Sequence, residues 1–282
     1  MSNSRRSFLK MSSLGVLSLT TPVKQLSTMF KTSPFGIQLW TVKEDMAINA
    51  KETLQKIASY GYGFIENFEG KQGLYWGMTY KEFGAFIKDN GMSIVSSHCN
   101  INTDFEKKAA EAAEIGMKYL ICPYKGPQKS IDDFKRFANE FNAKGEICRK
   151  NGIRFAYHNH DYSWKTLDGQ IPQEVMMDNT DKNLVDFEMD MYWVVAAGIH
   201  PETYLKKYSH RFRLAHIKDM TTTATGVESC VLGKGTIDYK SLIKTAKHNG
   251  VNYFIVEQEA FTGTNPLESA KADADYMTKI VL

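Results

Sequence analysis

Short apolar runs alternate with amphipathic stretches from residue 35 to the end of the chain. Apolar runs bounded by turn residues are typical of buried strands, whereas apolar residues at helical spacing indicate helices. The pattern predicts strands at 35–42, 62–68, 92–101, 118–124, 153–160, 184–193, 212–220 and 251–261. It predicts helices at 50–61, 79–91, 103–116, 131–151, 172–179, 201–208, 239–250 and 266–280.

Three predicted helices end in a glycine that an apolar strand follows at once, at Gly91, Gly152 and Gly250. A capping glycine that leads into a buried strand is typical of βα units with parallel strands. Eight such units favour the α/β class and a single (β/α)8 TIM barrel over 34–282. An open doubly wound sheet would carry a G-x-G-x-x-G turn after its first strand, and the sequence has none.

The first thirty residues differ from the rest of the chain. Arg5 and Arg6 precede a short, weakly apolar run rich in Ser, Leu and Thr. This pattern indicates a signal segment of the twin-arginine type over 1–30 and therefore a periplasmic protein, with a disordered basic tail as the alternative. The run is too short for a membrane span, so we expect the protein not to be embedded in a membrane.

The balance of charged residues bears on whether nucleic acid is a partner. There are 35 Lys and Arg against 32 Asp and Glu, a formal net charge of +3. So small an excess provides no strong field for nucleic acid, and we expect no nucleic-acid partner. The four cysteines are widely spaced and form no C-x-x-C pair. Although export would permit disulfides, we expect buried free thiols.

Polar side chains gather at the carboxyl ends of the predicted strands, where a barrel places its active site. They are Gln38, Trp40, Glu66, Ser96, His98, His158, Asn159, His160, Glu188, Asp190, His216, Lys218, Glu257 and Glu259. A single charged residue at a strand end usually lies on the solvated rim. The last three strands, however, each end in an i, i+2 pair, whose members share a face, and this repetition predicts a functional site.

Carboxylates from two strands together with a histidine form an oxygen-rich ligand set. Such a set suits Mn²⁺ or Mg²⁺, and the imidazole also allows Co²⁺ or Zn²⁺. A divalent ion there would bind adjacent sugar oxygens and stabilise the charge that follows proton removal. Lys218 would add positive charge, or else pair with Asp219 or Glu188. Aromatic residues near the same ends either stack on sugars or simply pack; they are Trp40, Tyr162, Trp164, Tyr192 and Trp193.

At these residues the sequence resembles the xylose isomerase-like TIM barrel superfamily, in particular its sugar phosphate isomerase/epimerase branch. The resemblance extends from about residue 34 to the end of the chain. Its carriers are "GIQLWTV", "YHNHDY", "MDMYWVVAAGIHP", "RLAHIKDM", "LGKGTIDY" and "YFIVEQE". It implies a divalent metal near the barrel centre and acid/base chemistry on a sugar or polyol.

The resemblance also implies roles for single residues. Asp190, His216 and Glu257 match the family's metal ligands, and Glu257 would double as the base. The remaining family ligand is a glutamate whose place is taken by Ser163. Three outcomes stay open: His160 or Asp161 supplies the missing ligand, three ligands and water leave an open site, or the metal has been lost.

The other candidate residues fall into two groups. His98 and Lys218 join Glu257 as catalytic candidates. The candidates for substrate binding are Trp40, Glu66, His158, His160, Trp193 and Glu188. His98 would shuttle a proton near neutral pH or remain a hydrogen-bonded core histidine.

The leading hypothesis is a metal-dependent sugar isomerase or epimerase that abstracts a proton next to a carbonyl. The second is a 3-keto-glycoside lyase that eliminates the aglycone, because loss of the family glutamate leaves one base. The third is a non-catalytic carbohydrate-binding barrel. A phosphodiesterase of the endonuclease IV kind is disfavoured by the weak charge. We expect a small-molecule sugar or glycoside as substrate, and a homo-oligomer is among the expected states because barrels of this family often pair.

Overall fold

Eight parallel strands close into a barrel in the structure, a computed structural model that describes residues 35–281. The barrel strands are β1 (Phe35–Gln38), β2 (Phe64–Phe68), β3 (Ser93–His98), β4 (Tyr119–Cys122), β5 (Arg154–His158), β6 (Val185–Asp190), β7 (Phe212–Ile217) and β10 (Tyr253–Val256). Each strand pairs with its neighbours in the chain, and β10 closes the circle between β7 and β1. The predicted TIM barrel is confirmed.

Nine α-helices lie between the strands over 35–281. They are α1 (Lys43–Ser59), α2 (Tyr80–Asp89), α3 (Phe105–Glu114), α4 (Ile131–Lys150), α5 (Pro172–Asp178), α6 (Met191–Ala196), α7 (Pro201–Lys207), α8 (Tyr239–His248) and α9 (Pro266–Val281). Most begin and end within two residues of the predicted bounds. There are two exceptions. No helix was predicted at α6. Helix α1 begins at Lys43 and passes through a non-helical residue at Asn49 (φ −153°, ψ 91°). None of the helices between residues 35 and 281 has the length and apolar character that a membrane span requires.

Several segments differ from the predicted elements. The first strand ends at Gln38, and a 3₁₀ helix over Leu39–Val42 follows it. The last barrel strand occupies only Tyr253–Val256 of the predicted 251–261. The sixth strand ends at Asp190 and not at Trp193, because the Asp190 side chain accepts a hydrogen bond from the Trp193 N–H and so begins α6. After β7, an antiparallel hairpin of β8 (Asp219–Thr223) and β9 (Gly226–Cys230) leaves the barrel. Its largely polar sequence carries no strand-like alternation, so the pattern did not predict it.

The inside of the barrel has two layers. A lower apolar layer contains Phe64, Val95, Tyr119, Ile121, Ala156, Leu214 and Ile255. Because strand side chains alternate, the next inward position along a strand lies two residues on, toward the carboxyl end. Leu214 is thus followed by His216 and Ile255 by Glu257. A layer of ionisable groups therefore rests on an apolar floor.

Four free cysteines lie within residues 35–281, and three of them are buried, as expected; Cys230 is half-buried. The signal segment predicted over 1–30 lies outside the described residues. That prediction, and the periplasmic location with it, stays an expectation.

Candidate metal centre and substrate cavity

The three predicted metal ligands meet at the top of the barrel. Asp190 ends β6, His216 lies on β7 and Glu257 follows β10, and all three are buried. His216 Nδ1 lies 3.1 Å from Glu257 Oε2 and 3.9 Å from Asp190 Oδ2. These three residues form a group whose ligand atoms lie close enough together to hold one metal ion.

One oxygen in this group is turned toward the other ligands. Asp190 Oδ1 caps α6 by accepting from the Trp193 N–H at 3.1 Å, and Oδ2 lies 3.9 Å from His216 Nδ1. Oδ2 is buried, and its cationic partner is Lys218 Nζ, 2.8 Å away. Carboxylate oxygens and imidazole nitrogens are common ligands of divalent metal ions. The residues therefore fit a divalent ion.

His158, at the end of β5, lies beside the same group. Its Nε2 lies 3.8 Å from Asp190 Oδ2. The far nitrogens of both imidazoles contact carboxylates: His158 Nδ1 lies 2.9 Å from Glu188 Oε2, and His216 Nε2 lies 2.6 Å from Glu66 Oε1. Metal-binding histidines are commonly held in this way by a carboxylate on the second ring nitrogen. His158 is therefore a candidate fourth ligand, although it lies outside the group formed by Asp190, His216 and Glu257.

The side chains beneath this centre orient it. Glu66 accepts from Gln38 Nε2 at 2.8 Å and from Ser96 Oγ at 2.5 Å, and His98 Nε2 lies 2.8 Å from Glu188 Oε2. His98, His158, Glu188 and His216 form a second group close enough to hold an ion. Because their nitrogens there already contact carboxylates, we interpret this group as the support of the centre above it.

The Ser163 side chain is engaged in a local turn after β5. It lies in a 3₁₀ turn over Asp161–Trp164, where its buried hydroxyl donates to the His160 carbonyl at 2.8 Å. Ser163, His160 and Asp161 all lie outside both candidate groups among residues 35–281. That His160 or Asp161 supplies the missing ligand stays a prediction, as do the open three-ligand site and the loss of the metal.

Lys218 is fully buried beside three carboxylates. Its Nζ lies 2.8 Å from Asp190 Oδ2, 2.7 Å from Glu257 Oε2 and 2.9 Å from Glu259 Oε1. The expected partners, Asp219 and Glu188, are not those observed. The Asp219 carboxylate instead accepts from backbone N–H groups of the loop after β9.

Burial and neighbouring charges shift the pKa values of these groups. Burial alone would raise the pKa of Glu257, but Lys218 and His216 outweigh it and hold that pKa below its usual range. Burial would lower the pKa of His98, but the carboxylates of Glu66 and Glu188 raise it to about 9. Burial lowers the pKa of His158. At neutral pH the site therefore presents an ionised Glu257, a protonated His98 and a neutral His158.

A cavity of about 810 Å³ opens above the centre. It is lined by His98, His158, His160, Glu257 and Glu259, together with Trp40, Phe68, Glu69, Cys99, Asn100, Ile101, Asn102, Cys122, Pro123, Tyr124 and Lys125. Tyr124 is 56% exposed and Trp40 40% exposed, so two aromatic rings stand at the mouth. Tyr124 follows the apolar end of β4, and no feature of that run distinguished it in the sequence.

Three residues predicted to bind substrate do not line this cavity within 35–281: Glu66, Glu188 and Trp193. Glu66 and Glu188 are completely buried against histidines, so we correct their role to orienting those rings. The Trp193 ring packs against His160 (5.6 Å between centroids), and Lys218 Nζ lies 5.5 Å from its centre. Trp193 covers the side of the ion-pair cluster. The other candidates, Trp40, His158 and His160, do line the cavity.

Comparison with known proteins agrees with this architecture. A sequence profile described as the xylose isomerase-like TIM barrel matches residues 54–280. The chain belongs to this family. The expected enzyme class is confirmed at the level of the family.

Individual proteins and solved structures are also similar to this chain. An inosose dehydratase of Clostridium botulinum is 28% identical over 163 residues, which cover 52% of this chain and 54% of that protein. The chain thus matches about half the length of such curated relatives. A sugar phosphate isomerase/epimerase from Parabacteroides distasonis is 25% identical with a TM-score of 0.77, covering 90% of this chain and 96% of that one. The IolI protein with a bound zinc atom has the same fold (15% identity, TM-score 0.70, coverage 88% and 98%).

Proposed function

We propose that this chain abstracts a proton next to the carbonyl of a keto-sugar or keto-polyol in a metal-dependent reaction, and that β-elimination follows. One observation carries the proposal. Among the residues that line the cavity, Glu257 and Glu259 follow β10, whereas the imidazoles of His98 and His158 come from β3 and β5. A site with a base on one side and an acid on the other suits removal of a proton and departure of a leaving group.

Different residues would remove the proton, donate a proton to the leaving group and hold the metal ion. Glu257, which lines the cavity, takes the proton. His98, protonated because its pKa is raised to about 9, donates a proton to the departing oxygen. Asp190, His158, His216 and Glu257 would hold the divalent ion, which when bound supplies positive charge for the developing oxyanion.

Isomerisation or epimerisation, the leading hypothesis from the sequence, is the second candidate. It is supported by the name of the Parabacteroides relative, a sugar phosphate isomerase/epimerase. Elimination is supported by the relatives named inosose dehydratase, since loss of water beside a ketone is an elimination. Two-base epimerisation would call for a carboxylate at the β5 end, where this chain has His158. We place elimination first for that reason.

The types of ligand atom at the site also favour some divalent metal ions over others. Two carboxylates and two imidazoles suit Mn²⁺, Co²⁺ or Zn²⁺ better than Mg²⁺, which prefers oxygen ligands. We keep Mn²⁺ as the first expectation. If the leader exports the protein, the substrate is a free or oxidised sugar in the periplasm and not a phosphorylated one.

The reaction is tested with protein loaded with Mn²⁺, Co²⁺ or Zn²⁺ in deuterated water. The substrates are a 3-keto-glucoside with a nitrophenyl aglycone and a free ketohexose. Elimination releases nitrophenol and leaves an unsaturated ketone, which absorbance and NMR detect. An isomerase or epimerase would instead give a deuterated isomer without release.

The third hypothesis, a carbohydrate-binding barrel, predicts binding with neither deuterium exchange nor release at any metal loading. Its motive was Ser163, which lies outside the metal centre. Glu257→Gln is the matched variant, because it keeps the size of the side chain and removes the base. Full activity of Glu257→Gln would overturn the proposed role of Glu257.

A further inference from the structure

Lys218 contacts carboxylate oxygens of two candidate metal ligands, Asp190 and Glu257. Two of the three carboxylate oxygens that it contacts, Asp190 Oδ2 and Glu257 Oε2, are the same two that face His216 Nδ1. A divalent ion on carboxylate oxygens lies about 2.0–2.2 Å from them. Since Nζ lies 2.7–2.8 Å from these oxygens, an ion bound to them would lie within about 5 Å of the ammonium.

Two cations so close together in a buried site repel each other strongly. Lys218 is completely buried, so water does not screen this repulsion. The ammonium and the ion therefore compete for Asp190 and Glu257. Either the ion binds weakly or the ammonium leaves these two oxygens.

Glu259 provides the place to which the ammonium can move. Its Oε1 lies 2.9 Å from Lys218 Nζ, and Glu259 is outside both candidate metal groups within 35–281. The Glu259 side chain is 34% exposed, so it can adjust toward the cavity. The Glu259 backbone N–H donates to Ser229 Oγ of the hairpin at 2.8 Å. This hydrogen bond holds the Glu259 backbone in place beside the hairpin.

We propose that Lys218 is an internal counter-cation that neutralises Asp190 and Glu257 when the metal is absent and is held by Glu259 when the metal is bound. Glu259 is then a positioning residue that sets the metal affinity through Lys218. The inference rests on the metal centre of the proposed function. It adds a control of metal affinity that the ligand set alone does not contain.

The test is a calorimetric titration of the metal-free full chain with Mn²⁺, repeated with Co²⁺ so that the visible absorption of Co²⁺ reports the ligand geometry. Lys218→Met removes the competing charge, and we expect it to bind the ion at least about tenfold more tightly. Glu259→Gln leaves the ammonium on Asp190 and Glu257, and we expect about tenfold weaker binding.

The double variant separates two explanations for Glu259. If Glu259 acts through Lys218, Glu259→Gln has little effect in the Lys218→Met background. If Glu259 instead attracts the ion by its own charge, the substitution weakens binding equally in both backgrounds, and the proposal is overturned. Unchanged or weaker binding by Lys218→Met would also overturn it.

Glu69→Gln is the matched control, because Glu69 lines the same cavity but pairs with Lys108 at 2.7 Å. We expect its metal affinity to change less than about twofold. Lys218→Gln serves if Lys218→Met fails to fold, since an amide still donates to the carboxylates. Absence of ion binding in every variant would defeat both this inference and the proposed metal centre. Binding that is insensitive to residue 218 would defeat this inference alone.

Discussion

Two imidazoles each lie between a carboxylate and the metal centre. His216 contacts Glu66 through Nε2, and His158 contacts Glu188 through Nδ1. A carboxylate on the far nitrogen fixes the tautomer and the orientation of the ring, so the near nitrogen is already directed at the ion. The fully buried Glu66 and Glu188 therefore explain the alignment of the ligands above them.

This arrangement predicts which residues control metal content. His158→Ala should lose most of the bound metal, because it removes a ligand, and Glu188→Gln should weaken binding by about 10–100-fold. Ser163→Ala should retain the metal, because its hydroxyl contacts the His160 carbonyl only. Plasma emission spectroscopy of the purified variants measures the content. A metal loss in Ser163→Ala together with full retention in His158→Ala would reverse the assignment.

A buried carboxyl far from the ligands makes stability depend on pH. Burial raises the pKa of Asp273, on α9, to about 7. Its Oδ1 accepts from the Leu232 N–H at 2.7 Å, while its Oδ2 has no partner. Between about pH 4 and pH 7 the folded protein holds a proton that the unfolded chain has released. This group therefore lowers the free energy of unfolding as the pH rises through that range.

Asp273→Asn should remove this dependence. We expect the variant to match the native chain near pH 4 and to be more stable by about 2 kcal/mol at pH 8, because the amide keeps the Leu232 contact without a charge. Urea denaturation at the two pH values measures the difference. Equal stability at pH 8 would show that Asp273 ionises without cost.

At the scale of elements, close backbone contacts join the helices to the barrel. Gly145 in α4 lies against the segment that enters β6, and a Cβ there would lie 2.8 Å from the Leu184 carbonyl oxygen. Helix propensity favours alanine over glycine by about 1 kcal/mol, but a backbone clash in a packed interface costs about 1–3 kcal/mol. The clash is the larger effect where the backbone cannot yield.

Gly145→Ala should therefore lower the free energy of unfolding by about 1–2 kcal/mol, despite its better helix propensity. Ala143→Gly, at an exposed position of the same helix, is the control and should cost about 1 kcal/mol through propensity alone. Chemical denaturation compares the two. A stabilised Gly145→Ala would mean that α4 shifts freely against β6.

The elements also show where the hydrophobic pattern is informative. The glycines that end predicted helices, such as Gly152, do precede strands, because a capping glycine is a local requirement of the backbone. The run after Asp190 is apolar enough for a strand, yet it forms α6 because the Asp190 side chain caps it. Helix and strand are equally compatible with a short apolar run, and here the local cap by Asp190 decides between them.

At the scale of the whole molecule, the export signal remains a proposal. Arg5 and Arg6 precede the weakly apolar run of the first thirty residues. We propose that they direct twin-arginine export. Replacing both with lysine should retain the protein in the cytoplasm of a bacterial host, because the pathway reads the arginine pair. Cell fractionation measures this. Periplasmic recovery of the doubly substituted chain, with the unchanged chain as control, would contradict the proposal.

The sequence by itself determined the barrel fold and the position of its polar residues at the carboxyl ends of the strands. Both follow from local rules: the alternation of strand side chains and the βα repeat place Asp190, His216 and Glu257 at the carboxyl ends of their strands. Only the tertiary structure decided which of these groups touch. His158 lies beside the candidate ligands and Ser163 lies outside both candidate groups, while Lys218 pairs with Asp190, Glu257 and Glu259. These contacts join neighbouring strands of the barrel, and the register and tilt of the strands, which no local pattern encodes, set their distances.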